Sequence, residues 1–89
     1  MYYVYILRSI NHKKQTYIGF TTNLEKRLKE HNEGLSKHTS KFKPWRIETY
    51  VAFTDRKLAL RFERYQKMGS GNAFMKKRLI RFPDIPIKS

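Results

Sequence analysis

Two runs of aromatic and β-branched residues near the start of the chain constrain its fold more than any other feature. Residues 2–7 read YYVYIL, and residues 16–20 read TYIGF. Both compositions are typical of β-strands, and the polar residues 11–15 between them are few enough to connect a hairpin. Because the strands of a hairpin are antiparallel, the sequence favours a mainly antiparallel sheet.

A capping-box spacing predicts where the first helix begins. Thr22 is followed three positions later by Glu25, and apolar residues then recur at helical spacing. Gly34 predicts the end of this helix. Residues 35–43 are polar and basic around a Ser/Thr-rich centre, which predicts an exposed loop.

The second half of the chain predicts a third strand and two more helices. Partial alternation over residues 47–53 predicts the strand. Residues 56–68, capped by Asp55 or Thr54, predict a helix. Three apolar side chains of this helix share one stripe that we expect to face the core: Leu58, Phe62 and Tyr65. Residues 69–71 read GSG and are expected to break the helix before a last one over residues 72–81.

These elements together predict an α+β fold, a small three-stranded, mainly antiparallel sheet flanked by three helices. The 89 residues suffice for one domain, since a chain this short buries only roughly 60 to 65% of its unfolded surface on folding. We expect this domain to span residues 1–82, and residues 83–89 to form a short C-terminal tail. The chain has no Cys, which excludes a disulfide framework and a thiolate zinc site.

The net charge of the chain indicates which class of molecule it binds. Twenty Lys and Arg residues against seven Asp and Glu residues give a formal charge of +13, which attracts polyanions such as nucleic acid. A structural protein that associates with RNA or the ribosome is compatible with the same charge. No stretch approaches the roughly 18 apolar residues of a membrane span, which predicts a soluble protein with a cytoplasmic location.

Few side chains in this sequence can carry out phosphodiester chemistry. Such chemistry needs a nucleophilic water, a group that accepts its proton, and positive charge for the transition state. The acidic residues are scattered, there is no cysteine nucleophile, and no Gly-rich loop is present to hold a phosphate. Tyr, His, Arg and one Glu therefore remain as the candidates.

The order of these residues resembles that of the GIY-YIG nuclease superfamily. Residues 17–19 read YIG and match the second triplet of the name, while residues 3–5 read YVY and supply the tyrosine of the first triplet as Tyr5. Residues 21–28 are similar to the family's link into its first helix, and residues 59–63 are similar to its Glu segment.

The resemblance covers nearly the whole chain, from about Tyr3 to Leu79. It is a resemblance to the small stand-alone, single-domain members of the superfamily, of the UPF0213 kind, and to the N-terminal domain of excision-repair nucleases. One departure concerns Phe20, which stands where the excision-repair relatives tend to have Lys. The family resemblance implies the α+β fold described above and a nuclease activity.

The resemblance also implies a role for each matching side chain. Glu63 would be the one carboxylate that binds a single Mg²⁺ or Mn²⁺ ion, a hard cation that prefers oxygen ligands. Tyr17 would be the general base and Tyr5 its hydrogen-bonding neighbour. Arg27 would face the developing charge of the phosphate, and His31 would take the proton from Tyr17 or orient it.

Each of these residues also has an ordinary structural explanation. The two tyrosines can be strand aromatics that pack on a core, Glu63 can be a surface ion-pair partner, and His31 can pack at the end of its helix. Gly19 and Asn72 are further candidates. Gly19 would let a phosphate or backbone approach the tyrosines, and Asn72 would be either the family's late Asn or a helix cap.

The resemblance and the charge together imply a metal-dependent endonuclease that cuts DNA phosphodiester bonds in repair or recombination. RNA is the other candidate polymer, and a partner protein is expected to supply specificity. The alternative is a non-catalytic nucleic-acid-binding module or adaptor that acts with a partner. Basic residues predicted to contact phosphates without reading bases are Lys37, Lys41, Lys43, Arg46, Lys76, Lys77, Arg78 and Arg81.

Overall fold

The computed structural model describes residues 1–79, without the side chains of Ser70, Asn72 and Met75. Its elements in chain order are β1 (Tyr2–Ser9), β2 (Thr16–Thr21), α1 (Leu24–Asn32), α2 (Lys37–Ser40), β3 (Trp45–Phe53), α3 (Arg56–Gln66) and α4 (Gly69–Phe74). A π-helical segment, Met75–Leu79, continues α4. Within this part of the chain no helix is long and apolar enough to span a membrane. The predicted tail, residues 83–89, lies outside the described residues.

Strand β1 lies at the centre of an antiparallel sheet whose order is β2-β1-β3. Tyr5 faces Gly19 of β2 on one side and Tyr50 of β3 on the other. The predicted antiparallel α+β fold is therefore confirmed, with the additional one-turn helix α2. Because successive side chains of a strand point to opposite faces of the sheet, β1 contributes to two separate cores.

The two faces of the sheet carry different cores. The first, which we call the apolar face, is covered by α3 and consists of Val4, Ile6, Ile18 and Ala59, surrounded by Tyr2, Phe20, Phe53, Phe62 and Leu79. The second, which we call the tyrosine face, is covered by α1 and consists of Tyr5, Leu7 and Trp45, surrounded by Tyr17, Leu24, Leu28, Phe42 and Ile47. Helices α1 and α3 therefore sit on opposite sides of the same three strands.

Helix α1 is capped by Asn23, not by Thr22 as the capping-box spacing predicts. Asn23 has an extended backbone, and its side-chain oxygen accepts a hydrogen bond from the Lys26 amide at 3.1 Å. Asn is as good a cap as Thr, so the shift of one residue costs the helix nothing. The predicted end is confirmed, since Gly34 has a φ of 78° and the backbone bonds around it form a Schellman motif.

The prediction of an exposed loop over residues 35–43 is wrong for its centre. Residues Lys37–Ser40 form the one-turn helix α2, in which two backbone amides donate to the carbonyl of Ser36. Thr39 is buried, and its carbonyl accepts a hydrogen bond from the indole of Trp45 at 2.8 Å. A single turn is too short to show helical periodicity, so the sequence pattern cannot reveal it.

Helix α3 turns a different stripe toward the sheet from the one predicted. Ala59 is fully buried, and Phe62 packs against the apolar face as expected. Leu58 and Tyr65, however, are 48% and 40% exposed. The small side chain of Ala59 lets the helix backbone approach the sheet, and this turns the larger neighbours away from the core.

Helix α4 begins at Gly69, three residues earlier than predicted, so residues 69–71 do not break the helix. The break falls at residues 67 and 68 instead. Gly71 permits this arrangement because a Cβ atom at its position would lie only 1.6 Å from the carbonyl oxygen of Tyr65. A residue with any side chain would force the start of α4 away from the end of α3.

Candidate active site

The hydroxyl of Tyr5 is the point at which three of the predicted catalytic side chains meet. Tyr5 lies in the central strand and is only 2% exposed. Its oxygen lies 2.9 Å from Nε2 of His31, and Nε of Arg27 donates to it at 3.3 Å. Both partners project from α1, so the packing of that helix on the tyrosine face assembles the cluster.

Tyr17 completes an aromatic group around His31. Its ring centroid lies 5.1 Å from that of His31 and 6.4 Å from that of Tyr5. Tyr17 is half-buried, and within residues 1–79 its hydroxyl has no hydrogen-bond partner. His31 therefore contacts Tyr17 through its ring and forms a hydrogen bond with Tyr5, whereas the family resemblance implies a proton transfer between His31 and Tyr17.

Gly19 makes room for Tyr5 itself. The two residues face each other across β1 and β2, and a Cβ atom at Gly19 would lie 2.3 Å from the Tyr5 hydroxyl oxygen and 2.4 Å from its Cζ. Both distances are far below van der Waals contact. The predicted reason for this glycine, the approach of a phosphate or backbone, is therefore corrected: the space is filled by the phenol of the facing strand.

His31 has a second partner that sequence reasoning missed. Its Nδ1 lies 2.7 Å from the hydroxyl oxygen of Thr39, which belongs to α2. Both ring nitrogens are thus bonded to side chains, so the imidazole does not cap the end of α1. No local spacing signals the contact with Thr39, because it forms only when α2 folds back against α1.

Burial controls the protonation of the cluster at neutral pH. Loss of solvation raises the pKa of Tyr5 to about 12, although the hydrogen bond from Arg27 opposes the shift. Loss of solvation also lowers the pKa of His31, and the positive charge of Arg27 adds to this effect. Tyr5 and His31 are therefore neutral at pH 7, and Arg27 supplies the positive charge.

Glu63 acts on the cluster from α3. Its side chain is half-buried, and Nζ of Lys67 lies 3.4 Å from Oε2. The negative charge of Glu63 contributes to the raised pKa of Tyr5, so the carboxylate lies within electrostatic reach of that hydroxyl. Within the described residues it forms no hydrogen bond to the cluster. The structure thus brings Tyr5, Tyr17, Arg27 and His31 into contact, with Glu63 nearby.

A metal site built on one carboxylate fits these residues. In the part of the chain that the structure describes, no three His, Asp or Glu side chains converge to form an all-protein cage. Mg²⁺ commonly binds through one or two carboxylates, with water and phosphate as its other ligands. Glu30 is already paired with Arg27 at 3.1 Å. Glu63, whose one contact of this kind among the described residues is a long one with Lys67, is the candidate metal ligand.

The residues predicted to contact phosphates form two exposed groups. The first lies in and after α2, beside Thr39, and consists of Lys37, Lys41 and Lys43. The second lies on the π-helical segment and consists of Lys76, Lys77 and Arg78. Arg46 is exposed but forms an ion pair with Glu48 at 2.7 Å. Arg81 and the side chain of Asn72 lie outside the described residues.

Phe20 lies on the apolar face and not in the cluster around the Tyr5 hydroxyl. Its ring stacks on that of Tyr2, and the guanidinium of Arg56 lies 5.9 Å from its centroid. The positively charged Arg56 therefore lies beside Phe20, the residue that stands where the excision-repair nucleases tend to have Lys.

An open apolar groove lies between α3 and the end of β3, separate from the cluster. It encloses about 350 Å³ and is lined by Phe53, Leu58, Arg61, Phe62 and Tyr65. None of the five predicted catalytic side chains lines it. The groove is therefore not the candidate active site.

Known proteins are similar to this chain over most of its length. Residues 1–78 match the family described as the GIY-YIG catalytic domain. The "structure-specific endonuclease subunit SLX1 homolog" of Drosophila mojavensis is 39% identical over 71 residues, which are 70% of this chain and 23% of that protein. The protein of the same name from Cryptosporidium parvum is 42% identical over 67 residues, 71% of this chain and 16% of that protein. The chain thus spans less than a quarter of either relative.

Among solved structures, a UPF0213 protein from Bacillus halodurans, determined by solution NMR, is similar at 30% identity. The TM-score is 0.49, and the match covers 84% of this chain and 82% of that one. The matched range includes the five predicted catalytic residues, Tyr5, Tyr17, Arg27, His31 and Glu63. The chain therefore belongs to the GIY-YIG catalytic-domain family.

Proposed function

We propose that this chain is a divalent-metal-dependent endonuclease that hydrolyses DNA phosphodiester bonds in repair or recombination. The observation that carries the proposal is the Tyr5 hydroxyl, which joins Arg27 and His31 next to Tyr17 and within reach of the charge of Glu63. An endonuclease is proposed because relatives are named structure-specific endonuclease subunits, and DNA is the polymer that the resemblance to excision-repair nucleases implies.

Hydrolysis requires three changes at the phosphate. A water oxygen forms a bond to phosphorus, the bond from phosphorus to the leaving sugar oxygen breaks, and the water loses a proton to a base. Tyr17 is the proposed base, because its half-buried hydroxyl has no hydrogen-bond partner within residues 1–79. Its phenol first releases its own proton to solvent, and the phenolate oxygen then takes the proton of the attacking water. The leaving sugar oxygen takes up a proton from solvent. Tyr5 keeps its proton at neutral pH, since its pKa is about 12. Tyr5 therefore positions the groups around it.

Arg27 is proposed to stabilise negative charge on the phosphate. Its side chain is half-buried, its Nε donates to Tyr5, and its Nη1 donates to Glu30 at 3.1 Å. A guanidinium has five N–H donors, so further donors are available for a phosphate oxygen. The two anchoring bonds fix the plane of the group before the substrate arrives, which is the arrangement that favours electrostatic stabilisation of a transition state.

Glu63 would hold the Mg²⁺ or Mn²⁺ ion. When bound there, the ion supplies Lewis-acid stabilisation of the charge that develops on the phosphate and leaving oxygens. The half-buried position of Glu63 on α3, with a long contact to Lys67 at 3.4 Å, supports this assignment. Burial raises the pKa of Tyr5 most, and the charge of Glu63 adds the smallest contribution to it.

The exposed lysines around α2 and the π-helical segment are proposed to hold the DNA backbone without reading bases. A protein partner is proposed to supply substrate choice, because the relatives are named as subunits. The cytoplasmic location stays a prediction.

The experiment is single-turnover cleavage of end-labelled flapped, branched, damaged, duplex and single-stranded DNA, with an RNA hairpin alongside, in Mg²⁺ or Mn²⁺. Wild type is compared with Glu63→Gln and with Glu33→Gln, an exposed glutamate at the end of α1. We expect Glu63→Gln to lose at least about 100-fold in rate and Glu33→Gln to cut as wild type does.

Two outcomes would overturn the proposal. Equal cleavage by Glu63→Gln and wild type would remove the assigned site. Salt-sensitive binding by wild type with no product from any substrate would establish the non-catalytic module or adaptor instead.

A further inference from the structure

The two hydrogen bonds of His31 raise the question of which ring nitrogen carries the proton. Nε2 lies 2.9 Å from the Tyr5 hydroxyl, and Nδ1 lies 2.7 Å from the Thr39 hydroxyl. Each hydroxyl is able to donate or accept. The ring is buried and its pKa is lowered, so it is neutral at pH 7 and has one N–H and one lone pair. One hydroxyl must therefore donate to the ring, and the other must accept from it.

The surroundings of Tyr5 decide between the two arrangements. Its hydroxyl has one proton to donate and two hydrogen-bond partners in the described residues, Arg27 and His31. Arg27 has donors and no acceptor, so it cannot receive this proton. Tyr5 is 2% exposed, and a buried donor without an acceptor costs about 1 to 3 kcal/mol. Nε2 of His31 therefore accepts, and Nδ1 carries the hydrogen.

Thr39 is built to accept that hydrogen. Its carbonyl accepts from the Trp45 indole at 2.8 Å, and its amide donates to the Ser36 carbonyl at 3.2 Å. These bonds fix the residue on α2 with its hydroxyl oxygen directed at Nδ1. The hydroxyl proton of Thr39 has the Ser36 carbonyl as its acceptor, at a longer 3.5 Å.

We infer that Thr39 is a positioning residue that holds His31 in the Nδ1–H tautomer and thereby makes Tyr5 donate its proton to His31. In this arrangement Arg27 donates to Tyr5, Tyr5 donates to His31, and His31 donates to Thr39. The inference rests on the proposed function for its consequence in catalysis, but the tautomer itself is a property of the folded chain.

The tautomer fixes the orientation of the Tyr5 hydroxyl. With its proton committed to His31, the Tyr5 oxygen accepts from Nε of Arg27 and so holds the guanidinium that we propose stabilises the phosphate charge. In the Nε2–H tautomer, Tyr5 would receive hydrogen bonds from both His31 and Arg27, and its own proton would have no acceptor within the described residues. The hydroxyl would then reorient, and the anchor of Arg27 would weaken.

The test reads the tautomer directly. In protein labelled with ¹⁵N-histidine, the shifts of Nδ1 and Nε2 distinguish a protonated ring nitrogen from an unprotonated one, and the exposed His12 and His38 serve as references. We expect protonated Nδ1 and unprotonated Nε2 at His31. Thr39→Val keeps the shape of the side chain but removes the acceptor. Each tautomer then leaves one buried donor unpaired, Nδ1–H or the Tyr5 hydroxyl, so we expect both tautomers to be populated.

Single-turnover cleavage by the same proteins measures the consequence. We expect Thr39→Val to cut roughly 10- to 100-fold more slowly, the range found when the outer partner of a functional imidazole is removed. Thr39→Ser keeps the hydroxyl and should retain both the tautomer and the rate. Thr54→Val, at an exposed threonine, is the matched control.

The two readouts separate two kinds of failure. An Nε2–H tautomer in the wild type or in Thr39→Ser, or an unchanged tautomer in Thr39→Val, would overturn the inference whatever the cleavage rate. If Thr39→Val fails to fold, the wild-type and Thr39→Ser tautomers decide. A protein with the expected tautomers that cuts no substrate would overturn the proposed function and leave the role of Thr39 in holding the tautomer intact.

Discussion

The two faces of the sheet are built from alternate residues of the same central strand, yet different forces hold them together. On the apolar face, Val4 and Ile6 pack on Ala59 of α3, and the buried members of that core are all aliphatic. On the tyrosine face, Tyr5 packs in a core but also bonds to Arg27 and His31. One strand therefore supports a purely hydrophobic core and a buried hydrogen-bonded network at the same time.

The two faces therefore contribute differently to the stability of the fold and to its chemistry. Removing large side chains from a hydrophobic core costs about 2 to 5 kcal/mol, whereas a typical internal hydrogen bond contributes only about 1 kcal/mol net. Buried polar groups such as the Tyr5 hydroxyl therefore add little to stability. A function explains their presence on the tyrosine face, and changes on the two faces should have different consequences.

The largest effect is expected for Gly19→Ala, which alters the tyrosine face alone. The new methyl group would lie 2.3 Å from the Tyr5 hydroxyl and must displace the ring. We expect cleavage to fall at least about 100-fold, since a misplacement of about 1 Å costs that much. The free energy of unfolding should fall by about 1 to 3 kcal/mol.

Gly69→Ala is the matched control, because a Cβ atom there meets no other atom within 4 Å. It should leave cleavage unchanged. If Gly19→Ala cut as fast as Gly69→Ala, Tyr5 would not need the position in which the structure holds it.

A smaller effect, confined to stability, is expected for Ile6→Ala on the apolar face. Ile6 is 2% exposed, and its truncation leaves a cavity beside α3. The free energy of unfolding, measured in urea, should fall by about 2 to 5 kcal/mol. The cleavage rate per folded molecule should stay within about twofold. A loss of activity like that of Gly19→Ala would show that the two faces are not independent.

The smallest effect concerns the pH dependence of stability. The pKa of His31 is below its ordinary value of 6.5 in the folded protein, so the unfolded chain binds this proton first as the pH falls. Stability should therefore decline as the pH drops below about 6.5 and level off below the folded pKa. Loss of solvation lowers the pKa of His31 most. The charge of Arg27 lowers it further, and the charge of Glu30 raises it.

Urea unfolding of wild type and His31→Gln across this pH range isolates the contribution of the ring. The difference between the two unfolding free energies should shrink as the pH falls. A difference that grows at acidic pH would mean that the folded protein stabilises the charged imidazole.

The sequence predicted the parts of the fold that local patterns determine. The hairpin strands follow from their aromatic and β-branched runs, and the end of α1 follows from Gly34. The one-turn helix α2 and the early start of α4 depend on contacts between distant residues, such as that of Gly71 with Tyr65. No residue pattern of a single segment contains that information.

The site shows the same division. The resemblance to a family identified the residues that now lie together, and their roles stay predictions. It did not identify Thr39, whose contact with His31 spans two helices, or the use of Gly19 as space for Tyr5. The pairing of Arg27 with Glu30 could be predicted from the sequence, since the two residues lie three positions apart on one helix.

The most direct test of the account removes one oxygen atom. Tyr5→Phe keeps the ring in the core and deletes the hydroxyl that joins Arg27 and His31. Tyr50→Phe is the matched control, since Tyr50 faces Tyr5 from β3 and is 54% exposed. Single-turnover cleavage and urea unfolding should be measured on both variants.

We predict that Tyr5→Phe cuts at least about 100-fold more slowly than Tyr50→Phe, while its free energy of unfolding changes by no more than about 1 to 2 kcal/mol. Equal cleavage rates for the two variants would contradict the central claim that the tyrosine face holds its buried hydroxyl for chemistry.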